Sequence, residues 1–283
     1  MRRKLPAVLI LLLFVTGLCV FLYPMVSDWA GSRSQTKVVE VYDNAMKEVV
    51  SEELEAMRTA AEAYNRGLRG NVILTDPFDA SLAVEASGEY EALLNIRGDG
   101  VMGYVRIPKI DVLLPLYHGT SPQVLEKGAG HLENTSLPIG GTGTHAVISA
   151  HTGLPTATMF TDLVQVVEGD LFFLEVLGET LAYRVDQILV VDPEDTGELL
   201  IHREADYVTL LTCTPYGINS HRLLVRGVRT QYEEVLEEEA VQEKAKTTGR
   251  NWPYITAGLL FVLILTIYAV YGIRLKKRNR ERM

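Results

Sequence analysis

Cysteine is scarce in this chain of 283 residues, which contains only two. Cys19 lies inside an apolar run, so Cys213 has no partner with which to form a disulfide in the polar part of the chain. A disulfide framework of the kind that holds small secreted domains together is therefore excluded. A lone thiol is either buried and inert or retained for its reactivity, and composition by itself leaves both interpretations open.

Positive charge is also scarce away from the ends of the chain. Nine of the 27 basic residues and one of the 36 acidic residues lie in the terminal flanks, which leaves 18 basic and 35 acidic residues between them. The central part therefore has a formal charge of about −17, most of it on solvated surface. Because phosphate binding requires basic surface, nucleic acid is excluded as a predicted partner.

Metal-ligand spacings are missing as well. His145 and His151 are six residues apart, and no cysteine lies near enough to complete a zinc set. We therefore assign no metal ligands and no cofactor, and the sequence leaves any metal requirement open. Five of the six histidines are interpreted as structural or surface residues: His118, His131, His145, His202 and His221.

Two long apolar runs lie near the two ends of the chain. Residues Leu5–Tyr23 and Tyr254–Ile273 carry no charge, and about 20 such residues span a bilayer as a helix. The first run could instead be a signal peptide, but it is longer than the usual apolar region and no clear cleavage site follows it. We therefore favour an uncleaved anchor.

The charges that flank these runs predict the orientation. Basic residues stay on the cytoplasmic side of a membrane. They precede the first run and follow the second: Arg2, Arg3, Lys4, Arg274, Lys276, Lys277, Arg278, Arg280 and Arg282. We expect a two-pass cell-membrane protein in contact with membrane lipid, with both termini cytoplasmic and residues 24–253 outside the cell.

The pattern of apolar and turn residues along the sequence changes near Val101. Residues 36–66 have apolar side chains at helical spacing, whereas residues 71–96 show no sustained period and predict a long loop. Beyond Val101, short apolar runs alternate with turn residues about every ten positions, which favours an all-β sandwich or barrel. The predicted strands are Gly103–Ile107, Ala146–Ala150, Leu171–Val176, Leu181–Val191, Tyr207–Thr212 and Leu223–Val228.

Three residues at predicted strand ends suggest acyl-transfer chemistry. Cys213 ends one strand, and Arg222 begins the next after a loop that contains Pro, Gly, Asn and Ser. If those strands pair, a guanidinium lies near the thiol, where it favours thiolate and can bind an oxyanion. His151 ends the strand before a Thr-Gly-Leu-Pro turn and is a candidate acid–base group. Such a trio also arises by chance, so these residues alone leave its role open.

The motifs around these residues resemble those of the sortase family. Thr209-Leu210-Leu211-Thr212-Cys213, with Arg222 nine residues later, resembles the sortase TLxTC…R signature. Residues 149–155, SAHTGLP, look like the histidine motif, and the resemblance covers roughly residues 97–230. It implies the closed all-β barrel of that family, here with short helices, an N-terminal helical segment and two transmembrane helices.

Within the family the chain is similar to class C, the pilin polymerases. The second apolar segment and His-Thr-Gly-Leu-Pro point there, although Thr152 stands where Arg is usual. Asp76, Pro77 and Phe78 look like the lid motif in which Asp and an aromatic residue cover the site. On its own this tripeptide is a common turn signal.

The resemblance implies a role for each of these residues. Cys213 attacks the Thr–Gly bond of an LPxTG-type sorting signal, His151 protonates the leaving amine, and Arg222 holds the substrate and oxyanion. A pilin lysine then accepts the acyl group, so the implied partners are pilin subunits with a sorting signal and an acceptor lysine. The implied segments are an anchor or signal (1–23), a helical segment (24–70), a lid loop (71–96), a catalytic barrel (97–232), an acidic linker (233–252), a transmembrane helix (253–273) and a basic cytoplasmic tail (274–283).

Three alternatives to pilin polymerisation stay open on the sequence. One is a sortase that attaches surface proteins to cell-wall peptidoglycan. Another is a cysteine protease in which water resolves the thioester. The third is a non-catalytic two-pass surface protein with a β-domain, which would leave the spacing of Cys213 and Arg222 unexplained.

Overall fold

The computed structural model describes residues 5–68, 74–79, 87–154 and 156–232. The predicted acidic linker, second apolar segment and basic tail lie outside these residues, as do residues 71–73 and 80–86 of the predicted lid loop. The prediction of an irregular loop over 71–96 is wrong near its end, where residues 88–92 form a short helix. Four α-helices occur in the described part: α1 (Leu5–Glu48), α2 (Ser51–Gly67), α3 (Gly88–Ala92) and α4 (Pro122–Leu125). Single 3₁₀ turns occupy Pro108–Ile110, Thr161–Gln165 and Gly197–Leu199.

Eight strands form a closed barrel. They are β1 (Val101–Ile107), β2 (Val112–His118), β3 (Ala129–His131), β4 (Thr144–Ser149), β5 (Leu171–Val176), β6 (Glu179–Val191), β7 (Asp206–Thr214) and β8 (His221–Thr230). Around the barrel the order is β1-β2-β3-β4-β7-β8-β6-β5. Only the β2–β3 and β4–β7 pairs within it are parallel. The predicted all-β closed barrel is therefore confirmed.

Alternation along the strands separates the barrel interior from its outer face. In β4, Ala146 and Ile148 belong to the main apolar core, together with Ala150 just beyond the strand. Val147 points the other way and belongs to a second, smaller apolar cluster. That outer cluster consists of five buried residues, Leu132, Val147, Leu199, Leu211 and Leu224. The outer face of β4, β7 and β8 is therefore itself apolar and covered.

Sequence patterns missed two strands and one helix break. Strand β2 contains Pro115, a residue that argues against a strand, and β3 has only three residues. The single helix expected over 36–66 is divided between α1 and α2, with the break at Val49 and Val50. Two consecutive β-branched residues stiffen the side chains against the preceding helical turn, which makes this a favourable place for the break.

Helix α1 combines an apolar segment with a segment that packs on the barrel. Between Leu12 and Tyr23 most of its apolar side chains are exposed, and within the described residues it is the one helix long and apolar enough to cross a membrane. Farther along, Val39 and Tyr42 are buried. The Tyr42 hydroxyl donates to the Met102 carbonyl at 3.2 Å and accepts from the Leu177 N–H at 3.0 Å.

Candidate active site

Cys213 and Arg222 face each other across neighbouring strands. The antiparallel register of β7 and β8 pairs these two residues directly. Both are buried, with 7% of Cys213 and 8% of Arg222 exposed. The loop between them is short, so the chain turns back at once. The Arg222 guanidinium therefore lies near the Cys213 thiol, as the sequence predicted.

His151 lies beside the same strand through a different pairing. Strands β4 and β7 are parallel, and Ser149 is the register partner of Leu211. The ladder continues past the end of β4, because the Ala150 N–H donates to the Leu211 carbonyl at 3.2 Å and Thr212 Oγ1 donates to the Ala150 carbonyl at 2.7 Å. His151 therefore follows alongside Cys213, at the spacing of adjacent strands.

Asp76 is bound to Arg222. Arg222 Nε donates to Asp76 Oδ1 at 2.8 Å, and Nη2 donates to Oδ2 at 2.5 Å. The remaining nitrogen, Nη1, donates to the carbonyl oxygens of Asn219 and His221 at 3.0 and 2.9 Å. This bidentate geometry fixes the plane of the guanidinium. Four of the five N–H donors of Arg222 are thus engaged in these hydrogen bonds.

Phe78 covers the histidine. Its ring centroid lies 5.5 Å from that of His151, and the Arg222 guanidinium carbon lies 5.3 Å from the Phe78 ring centre. Phe78 and Leu74 also pack on the outer apolar cluster. A small cleft remains next to this segment, lined by Asp76, Pro77, Val191, Asp192, Pro193, Asp195, Thr196, Leu199, Leu211, Arg222 and Leu224.

The electrostatics of this closed arrangement keep the thiol neutral. Burial raises the pKa of Cys213 to about 11; the Arg222 charge opposes this rise and the Asp76 charge adds to it. Burial also lowers the pKa of His151, with Glu126 acting weakly in the opposite direction. At neutral pH the pair is therefore an uncharged thiol beside an uncharged imidazole. Proton transfer between them would need the site to open to water or substrate.

The side chains of the other five histidines have other partners or are exposed, although the His221 carbonyl accepts a hydrogen bond from Arg222. His131 is fully buried; its Nδ1 is 2.7 Å from the Tyr90 hydroxyl and its Nε2 is 2.8 Å from the Ser136 carbonyl. His145 is buried too, with Nδ1 2.9 Å from the Leu200 carbonyl and Nε2 2.8 Å from Thr209 Oγ1. His118 contacts two backbone carbonyls, whereas His202 and His221 are exposed.

Three contributors to the site were missed on the sequence. Leu74 packs with Phe78, and an apolar residue two positions before Asp76 was the available signal. Asn219 offers its carbonyl to Arg222 from a left-handed conformation (φ 60°), which asparagine tolerates well. Ser149 Oγ is fully buried and has no hydrogen-bond partner in the described part of the chain. No sequence signal distinguishes this serine.

Comparisons with known proteins agree with this architecture. The sortase domain model matches residues 105–230. A crystal structure of Streptococcus pneumoniae Sortase C is 47% identical, covers 69% of this chain and 97% of its own, and has a TM-score of 0.65. The pilus-related Sortase C of Group B Streptococcus is 43% identical, covers 68% of this chain and 96% of its own, and has a TM-score of 0.62.

A curated relative extends the comparison to another bacterial group. Sortase D of Bacillus subtilis is 29% identical over 130 residues, which are 45% of this chain and 63% of the relative. The match thus spans somewhat less than two thirds of that protein. The chain belongs to the sortase family. Its structural neighbours within the family are the pilin-specific class C sortases, as the motifs predicted.

Proposed function

We propose that this protein is a membrane-anchored cysteine transpeptidase that polymerises pilins outside the cell. In this proposal it cleaves LPxTG-type sorting signals between Thr and Gly and joins the acyl group to a pilin lysine. The observation that supports it is that two separate strand pairings bring an arginine and a histidine next to one thiol. β8 pairs Arg222 with Cys213, and the parallel β4–β7 ladder leads His151 to the same residue.

The first half-reaction begins with a proton transfer from Cys213 to His151. The thiolate sulfur attacks the Thr carbonyl carbon, and the negative charge that develops on the carbonyl oxygen is stabilised by the Arg222 guanidinium. The C–N bond to Gly then breaks while His151 gives its proton to the departing amine. A thioester on Cys213 and a free Gly amine are the products.

The second half-reaction uses the same groups in reverse. A lysine amine attacks the thioester carbon and passes a proton to His151, and the C–S bond breaks to release the thiolate. The product is an isopeptide bond between two pilins. In the closed structure the guanidinium is bound to Asp76 and Phe78 covers His151, so in this proposal residues 76–78 act as a lid that must move before the substrate binds.

Membrane attachment belongs to the same proposal. Helix α1 runs without interruption from the apolar segment into the part that packs on the barrel. Its exposed Leu13, Val20 and Phe21 side chains have no protein cover, as expected for a segment in lipid. We place the barrel on the outer surface, with α1 and the second predicted span holding it there and both termini cytoplasmic.

The decisive experiment measures covalent polymers. The detergent-solubilised protein is incubated with pilins that carry an LPxTG-type signal, and ladders linked by Lys–Thr isopeptide bonds are sought by mass spectrometry. A parallel reaction supplies a peptidoglycan-precursor amine instead of pilin lysine. Ladders with pilin alone support the proposal, whereas exclusive use of the wall amine would favour cell-wall anchoring, and free hydrolysed peptide would favour a protease.

A further inference from the structure

Residues along α1 contact different parts of the barrel, and their positions in the helix show which part lies nearest to the apolar segment. Nearest to that segment, Asp28 Oδ1 accepts hydrogen bonds from the Thr158 N–H at 2.8 Å and from its hydroxyl at 2.7 Å. Farther along, Tyr42 contacts Leu177. At a rise of 1.5 Å per residue, Asp28 lies about 7.5 Å beyond Tyr23, the last residue of the apolar run, and Tyr42 about 28 Å beyond it.

A close backbone approach supports the same order. An added Cβ on Gly31 would lie 2.5 Å from the Thr156 carbonyl oxygen, so only glycine lets the helix approach the loop this closely. Gln35, one turn later, donates through Nε2 to the Met159 sulfur at 3.3 Å. Residues 156–159 are therefore the barrel segment that is fastened nearest to the apolar end of α1.

This segment is part of the rim of the candidate active site. The Phe160 N–H donates to the His151 carbonyl at 3.0 Å, and the Gly153 N–H donates to Thr161 Oγ1 at 2.9 Å. On its other side, a Cβ at Gly153 would lie 3.1 Å from the Tyr216 ring, which places the β7–β8 loop against the same rim. The opening beside His151 and Cys213 is thus at the end of the barrel that faces the apolar segment.

The rim also exposes apolar side chains that no described residue covers. Ile218 is 71% exposed, Tyr216 is 69% exposed, and Val164, in the 3₁₀ turn after the loop, is 63% exposed. The headgroup layer occupies roughly 5–8 Å on each side of the hydrocarbon core. A loop fastened about 7.5 Å beyond the apolar run lies at the edge of that layer, where tyrosine side chains are favoured.

We infer that the rim formed by residues 152–154, 156–165 and 215–219 rests on the lipid headgroup layer of the membrane that holds α1. The active-site opening then faces the bilayer surface, within reach of substrates whose own membrane segments hold their sorting signals there. This inference rests on the proposed membrane anchoring. It adds that the barrel has a fixed lipid-facing side instead of moving freely above the membrane.

Depth-dependent fluorescence quenching tests this contact in the full chain. The two native tryptophans are replaced (Trp29→Phe, Trp252→Phe), and one tryptophan is introduced at a time in nanodiscs that contain brominated phosphatidylcholine. Phe14→Trp reports on the anchor, Tyr216→Trp on the rim, and Val50→Trp on a similarly exposed position (63% exposed) just beyond the far end of α1. We expect strong quenching at 14, clear but weaker quenching at 216, and none at 50.

The outcomes separate the inference from the anchoring on which it rests. Quenching at 14 with none at 216 overturns the lipid-facing rim and leaves the anchor intact; a protein partner on this rim would give the same result. No quenching at 14 overturns the anchor and the rim together. As a second variant, Ile218→Glu added to the Tyr216→Trp chain should at least halve the quenching, because a carboxylate is expelled from the headgroup–hydrocarbon boundary. Unchanged quenching counts against the contact.

Discussion

Asp76 and Arg222, 146 residues apart in the chain, form a bidentate ion pair in which about nine-tenths of each side chain is buried. The pair joins the segment before the barrel to the strand that faces Cys213. Arg222 is the group proposed to stabilise the oxyanion. The ion pair with Asp76 therefore occupies the same guanidinium that the proposed mechanism requires. In the proposed mechanism, closure of the site and loss of the oxyanion donor would therefore occur together.

Releasing the segment should expose the thiol. We expect Asp76→Ala combined with Phe78→Ala to speed the reaction of Cys213 with a small thiol reagent by about ten- to hundredfold. This range corresponds to roughly 1–3 kcal/mol from the ion pair and the buried ring together. Hydrolysis of a sorting peptide and proteolysis near residue 76 should also accelerate. The measurement is the alkylation rate followed by mass spectrometry.

Asp186→Ala is a matched control for that experiment. Arg226 lies four residues after Arg222 in the same strand, β8. It donates to Asp186 through Nε at 3.1 Å and Nη2 at 2.9 Å, with the same two-bond geometry as the Arg222–Asp76 pair. Breaking this pair should leave the Cys213 rate unchanged. Equal acceleration in both variants would show general loosening of the barrel, and no acceleration in the folded double variant would exclude a lid role for residues 76–78.

The pH dependence of Cys213 reactivity should differ between the closed and released forms. The pKa of the buried thiol is raised to about 11, so the wild-type alkylation rate should climb about tenfold per pH unit from pH 7 to pH 10. Removing Asp76 and Phe78 deletes a negative charge that raises this pKa and admits water, so the midpoint should move to lower pH. Stopped-flow alkylation across pH 6–11 measures both curves; identical midpoints would contradict the proposed coupling.

The proposed catalytic groups should have separable effects. Cys213→Ala should abolish the acyl-enzyme, while His151→Ala and Arg222→Ala should each lower turnover by at least about 10²-fold, as for acid–base groups and oxyanion donors. Arg222→Lys should recover little, because an ammonium lacks the planar two-point geometry. Intact-mass detection of the thioester and ladder assays measure these effects. Near-normal ladders from the Cys213→Ala protein would end the transpeptidase proposal.

Two buried histidines should make the barrel sensitive to acid. Burial lowers the pKa of both His131 and His145 to about 4, below the ordinary value of 6.5. Between these values the unfolded chain binds more protons than the folded one, so stability falls as the pH drops from 6.5 to 4. The expected loss is about 1.4 kcal/mol per pH unit for each histidine.

Urea unfolding at pH 7, 6 and 5 measures this slope. His145→Asn is the informative variant, because an amide nitrogen can replace the Nδ1 donor to the Leu200 carbonyl without titrating. The variant should be less stable at pH 7 yet lose less stability on acidification than the wild type. A variant slope equal to that of the wild type would mean that His145 does not titrate on unfolding.

The predicted topology can be tested at the far end of the chain. The basic residues after Ile273 predict a cytoplasmic tail. A reporter fused after Met283 that functions only in the cytoplasm should therefore be active. Activity of an exported reporter at the same position, or a mature chain that begins near residue 30, would show that the two-pass arrangement is wrong.

Local patterns predicted much of the barrel because they depend on neighbours in the chain. The short apolar runs at β5 and β6 predicted bounds within two residues of those in the structure. Pattern failed in β2, where Pro115 is tolerated within the strand, and at Val49–Val50, where the chain breaks a helix to pack α2 against the barrel core. In β2 tertiary packing overrides the intrinsic preference against proline, whereas the break between α1 and α2 falls at two β-branched residues of low helix propensity.

The sequence by itself determined that Cys213 and Arg222 face each other, because one strand–loop–strand unit of 25 residues, 206–230, contains both and its register is local. It also determined that α1 begins in an apolar segment. Only the tertiary structure decided that His151 lies alongside Cys213, since that depends on a parallel pairing between strands 62 residues apart. The same is true of Asp76 on Arg222 and of Asp28 on Thr158. Contacts between distant segments depend on how the whole barrel closes, and no local periodicity encodes them.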